Sequence, residues 1–125
     1  MFLYSALKVV HILAIAYLFY ALGGNTLHAA IGGERSQNRL YGLTGALHGI
    51  AILAIVVAGF GMLTRFNLGD PGFPLGWVLA KILIWLALGA WVLVPYRQPA
   101  IARRAYPWLP LIAAVAATLA IFKPF

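Results

Sequence analysis

Apolar residues along this chain gather into four runs of roughly 17 to 24 residues, separated by three short stretches rich in glycine, proline and charge. A helix rises about 1.5 Å per residue and a hydrocarbon core is about 30 Å thick, so each run is long enough to cross a bilayer. The runs cover 2–23, 40–63, 75–94 and 106–122. Gly32-Gly33 and Ser36-Gln37-Asn38 interrupt the pattern after the first run, and Gly69-Asp70-Pro71-Gly72 after the second. Pro95 ends the third run and opens a basic loop over 96–105. The fourth run carries Pro107 and Pro110 in its first turns, where a missing N–H costs least. The pattern predicts an all-α fold: an integral membrane four-helix bundle forming one transmembrane domain over 1–125, with short loops that impose up-down-up-down packing.

Composition narrows the class. With 64% hydrophobic and 9% charged residues, a water-soluble domain of this size would be covered by one continuous apolar patch. The chain has no cysteine, which excludes disulfide exchange, thiolate metal sites and iron–sulfur clusters. A net charge of +7 would suggest nucleic acid in a soluble protein, but here the basic residues collect between apolar runs and read as topology signals, with no nucleic-acid partner. Loops one and three carry Arg35, Arg39, Arg97, Arg103 and Arg104 against Glu34, whereas the opposite side has Arg65 offset by Asp70, plus Lys123. The positive-inside rule then places loops one and three in the cytoplasm of a bacterial inner membrane and both termini outside.

Besides Lys8, near the start of the first run, one charge falls well inside a run rather than between runs. Lys81 lies about two turns inside the third helix, in Gly76-Trp77-Val78-Leu79-Ala80-Lys81-Ile82-Leu83-Ile84-Trp85. An ammonium in hydrocarbon costs a few kcal/mol, so it must reach the interface, find a partner or serve a function. The only acids are Glu34 and Asp70, both in loops, which rules out the membrane-embedded carboxylate that a proton-coupled multidrug exporter needs. Trp77, Lys81, Trp85 and Gly89 recur at four-residue spacing and form a single stripe. Such a stripe could hold a flat ring against indole and glycine while Lys81 pairs with a carboxylate of the ligand; alternatively, Lys81 snorkels outward with cation–π help from an indole.

Three histidines complete the inventory. Helices one and three run parallel in the expected topology, and counting residues from the outer face puts His11 and Lys81 within about a turn of the same depth. His11 lies on a mostly apolar face, where a neutral imidazole can either ligate heme iron or hydrogen-bond to a neighbouring helix. His48 sits in Gly45-Ala46-Leu47-His48-Gly49, whose spaced glycines let another backbone approach, and is a candidate second ligand. Gly59 and Gly61 suggest tight packing or room for a prosthetic group, and His28 reads as interfacial.

Lys8 to His11, Arg39-Leu40-Tyr41, Gly76-Trp77 with Ala80-Lys81, and Lys123-Pro124-Phe125 together give the chain a resemblance to HemJ-type membrane protoporphyrinogen oxidases. Leu86-Ala87-Leu88-Gly89 is also similar to SirB-like and CopD-like small membrane proteins. The HemJ resemblance implies a heme b-binding bundle that oxidises protoporphyrinogen IX, with functional first-helix histidine and third-helix lysine, here His11 and Lys81. The chain departs from that pattern where Gly23-Gly24-Asn25-Thr26-Leu27-His28 stands in place of a Pro-Arg and a further histidine, and where Thr44-Gly45 replaces Asn-Pro. The expected site therefore comprises His11 as metal ligand, His48, Trp77 and Trp85 as cofactor-binding residues, and Lys81 as the catalytic residue. A second reading makes the protein a non-catalytic accessory subunit of a larger respiratory or photosynthetic membrane complex, its glycine-rich faces packed between larger subunits; the partners open to it are the lipid bilayer, such a complex, or further copies of this chain as a homo-oligomer.

Overall fold

The computed structural model describes residues 2–66 and 68–125; Met1 and Asn67, the latter in the expected second loop, lie outside the described residues. Among the described residues the fold is all-helical. Helix α1 covers Phe2–Ala30, α2 Tyr41–Leu63, α3 Gly76–Trp91, α4 Pro99–Ala105 and α5 Leu109–Phe122, with short 3-10 turns at Arg35–Gln37 and Tyr106–Trp108. Three helical stretches are long and apolar enough to cross a membrane: Phe2–Ala30, Tyr41–Leu63 and Pro99–Phe122. The fourth, α3, has 16 residues.

Three boundaries differ from the hydropathy reading. The first helix does not stop near residue 23 but runs to Ala30, because Asn25, Thr26 and Ala29 are buried against neighbouring elements and remain in the helical stripe. The third ends at Trp91 instead of near 94, its last residues turning into the buried Pro95. The stretch expected as a basic loop is helical from Pro99, which occupies the first turn as α4. Pro107 and Pro110 each remove an N–H from the ladder, and the chain between α4 and α5 tightens into a 3-10 turn.

Helix packing follows from residue size. The buried positions of α1 are His11, Ala14, Leu18, Ala21, Leu22, Asn25, Thr26 and Ala29, a stripe with spacings of three and four that follows one helix face. On α2 the buried set is His48, Ala51, Ala58 and Leu63. Small side chains on both faces let the backbones approach closely. His11 meets Ile55, Leu7 lies against Gly61 and Asn25 reaches Thr44, so α1 and α2 run in opposite directions along their length. Leu18, Leu22, Ala51 and Leu88 form the core, and Ile84, Trp91 and Ile112 close it from α3 and α5. The remaining faces are apolar and outward, as at Leu13, Ile50, Leu83 and Ile121.

Two ties fix the ends. Arg103 Nε donates to the Ala30 carbonyl at 3.3 Å, joining α4 to the end of α1. At the other end the chain turns back after α5 through Lys123, in the left-handed region at φ 46°, and the Trp77 N–H donates to the Phe125 carbonyl at 2.7 Å. Gly76 makes that approach possible, since a Cβ there would stand 2.5 Å from the Phe125 ring and 3.0 Å from its oxygen.

Candidate functional site

Each of the expected site residues can be traced to its neighbours. His11 is buried on α1, and its Nδ1–H donates to the Ile55 carbonyl of α2 at 2.9 Å. A carbonyl can only accept, so this contact puts the proton on Nδ1 and leaves the Nε2 lone pair uncommitted in the neutral ring. Gly59 makes room for the imidazole, because a Cβ there would lie 3.3 Å from Cε1. Lys81, half-buried on α3, stands within Coulombic range of both His11 and Lys123. Among the described residues its ammonium makes no hydrogen bond or ion pair. The structure thus brings His11 and Lys81 to one region and adds Lys123, which hydropathy alone had left as a terminal charge.

Trp77 is buried, and its indole N–H has no acceptor among the described residues. The Lys123 ammonium lies 5.3 Å from the Trp77 ring centre and 5.4 Å from that of Phe66, within cation–π range, and also donates to the Ala120 carbonyl at 2.7 Å. Trp85 Nε1–H donates to the Ile52 carbonyl at 2.9 Å, one turn of α2 from the Ile55 carbonyl that His11 bonds. One turn away the buried His48 donates through Nε2 to the Leu88 carbonyl at 3.3 Å. Together these bonds stitch α2 to α3. Among the described residues the glycines around His48 do not receive another helix, since nothing lies within 4 Å of a Cβ built on Gly45 or Gly49. Gly59 and Gly61, by contrast, are filled by His11 and Leu7.

The opposite end holds a polar network that residue-by-residue reading missed. Asn38 donates from Nδ2 to Asn25 Oδ1 at 3.0 Å and to the Tyr96 hydroxyl at 2.9 Å. The same Tyr96 hydroxyl bonds His28 Nδ1 at 2.9 Å, and Thr44 Oγ1 lies 3.0 Å from Asn25 Oδ1. Tyr96 also packs edge-on against the His28 and Tyr41 rings. Trp91 Nε1 donates to Thr26 Oγ1 at 3.0 Å nearby. His28 is therefore a built-in member of a network that ties α1 to the segment before α4. The one available signal was the density of Asn, Thr, Tyr and His flanking the Gly32-Gly33 turn.

Among the described residues no three histidine or acidic side chains cluster as a metal cage. One cleft of about 340 Å³ lies at the Gly32-Gly33 turn and another of about 400 Å³ between α3 and α5; neither is lined by His11 or Lys81. Compared with known proteins, the chain matches no protein-family model, no curated sequence and no solved structure.

Proposed function

We propose that the protein is an integral membrane four-helix up-down bundle of the bacterial inner membrane, with both termini outside, and that it binds heme b or a related porphyrin in a redox role resembling that of HemJ-type proteins. The observation that carries this reading is the His11 imidazole. Its Nδ1–H is fixed on the Ile55 carbonyl at 2.9 Å, the kind of contact that orients a ligating histidine and raises its basicity, and its Nε2 lone pair is left over. The donor set fits the group: a neutral imidazole suits heme iron, and the unpaired Lys81 ammonium suits a propionate or a substrate carboxylate. Bound heme would supply one-electron chemistry. In this reading Lys81 draws the acidic edge of the ligand to the α3 face, Trp77 packs beside it, and the apolar surroundings exclude water. His48 and Trp85 already spend one N–H each on α3 and α2 carbonyls, and their contribution is to hold those helices in register. The test is an absorption spectrum of the purified protein during hemin titration. A Soret band that saturates with wild type and is lost in His11→Ala is expected; a preparation that stays featureless, or a variant that binds hemin equally, overturns the proposal.

A second reading is favoured by one observation. Gly42, Gly45 and Gly49 recur along one face of α2, and no described residue lies within 4 Å of a Cβ built on any of them. A close-packing stripe open to the outside fits an accessory subunit of a larger complex or a homo-oligomer. Extraction in a gentle detergent decides it: migration as a lone monomer removes this reading.

A further inference from the structure

The cleft of about 340 Å³ lies where the Gly32–Arg35 turn after α1 faces the Tyr96-Arg97 turn before α4, with Pro99 at its edge. We infer that this cleft binds the phosphodiester headgroup of a membrane phospholipid, with Arg35 and Arg97 as its cations.

The walls of the cleft are held in place by bonds that do not involve an anion. Its floor, Tyr96, is fixed by Asn38 and His28 through its hydroxyl and by two edge-on rings. The Gly32-Gly33 turn is closed by Gly32 N–H to the Ala29 carbonyl at 3.1 Å and Gly33 N–H to the His28 carbonyl at 2.8 Å, with Gly32 at φ +90°, a conformation side chains rarely adopt. Gly33 packs directly on the His28 ring. Arg35 is steered by the Tyr41 ring, its guanidinium carbon 5.3 Å from the ring centre. The Arg97 guanidinium makes no hydrogen bond among the described residues, and it is exposed.

Guanidinium forks match the oxygens of a phosphate, and two of them face one acid, Glu34, in this cleft. The lining therefore carries two positive charges and one negative, which suits the single charge of a diester better than the nearly double charge of a monoester. Ile31 precedes the lining residue Gly32 and Ile101 follows Pro99 by two residues; they are 75% and 46% exposed and offer apolar surface to acyl chains. A free phosphate would gain nothing from them. Arg39 and Arg104 lie on neighbouring segments but do not line the cleft, so they provide a charge-matched comparison.

The experiment reconstitutes the full chain into nanodiscs containing phosphatidylcholine with equal small amounts of phosphatidylglycerol and phosphatidylethanolamine, releases it into mild detergent and counts retained lipid by native mass spectrometry. Wild type should retain one phospholipid, and Arg35→Gln with Arg97→Gln should lower that occupancy about tenfold. Arg39→Gln with Arg104→Gln, which removes the same charge, should leave it within about twofold of wild type. Arg97→Gln alone breaks no internal hydrogen bond and keeps the test open if the double variant fails to fold; it should lower occupancy severalfold. Equal loss in the Arg39 and Arg104 pair would mean diffuse attraction and overturn the site. Retention unchanged by Arg97→Gln, or displacement of the lipid by millimolar inorganic phosphate, overturns it as well.

Discussion

Gly33 touches His28 so closely that a single methyl group should displace the imidazole. A Cβ at Gly33 would fall 2.5 Å from Nε2 and 2.6 Å from Nδ1, well inside the closest approach of real side chains. Its backbone is not in the left-handed region, so Gly33→Ala meets steric conflict with the ring and no conformational penalty of its own. Swinging the ring away breaks the 2.9 Å bond to the Tyr96 hydroxyl and the edge-on contact with centroids 5.7 Å apart. A hydrogen bond contributes about 0.5 to 1.5 kcal/mol and an aromatic pair about as much, so Gly33→Ala should cost about 1 to 3 kcal/mol. His28→Ala loses the same two contacts and should cost about the same. Once the ring is gone the methyl group has nothing to strike, and Gly33→Ala in the His28→Ala background should change stability by no more than about 0.5 kcal/mol. The coupling energy of this cycle, read from equilibrium unfolding in mixed detergent and SDS micelles by tryptophan fluorescence, should therefore nearly equal the whole cost of Gly33→Ala. If Gly33→Ala costs as much without His28 as with it, the glycine serves the backbone and the contact account is wrong.

Two further outcomes follow from the indoles and the open glycines. Trp77→Phe removes an N–H that has no acceptor among the described residues, whereas Trp91→Phe strands the buried Thr26 hydroxyl; both shrink an indole, so in the same unfolding assay the second should cost about 1 to 2 kcal/mol more than the first. Equal costs would refute that distinction. Gly49→Ile adds bulk where the chain has none nearby, so stability of the isolated chain should move by less than about 0.5 kcal/mol; any helix-mediated assembly seen by blue native electrophoresis should be lost, and an intact assembly would show that this face is unused.

Helix type and number of apolar stretches were legible from hydropathy because period and length are local properties. The second helix was placed to within a residue, its apolar run and its helix coinciding. Gly23-Gly24 looked like a stop, yet α1 continues because Asn25 and Thr26 find partners from Asn38, Thr44 and Trp91, which no local window contains. The Arg-rich stretch before α5 likewise read as a loop by charge, while Pro99 at a first turn and the burial of Ala102 make it a helix. Depth counting put His11 and Lys81 at one level, and the structure brings them within electrostatic reach. It could not find the Ile55 carbonyl, the Gly59 recess or Lys123, since these depend on how helices rotate about their own axes.

The bond between the Trp77 N–H and the Phe125 oxygen has a temporal side. Ribosomes deliver α3 well before residues 123–125, so the opening turn of α3 waits for an acceptor that has yet to be made. The first turn of α3 is thus completed by a later part of the chain, which Gly76 lets close in.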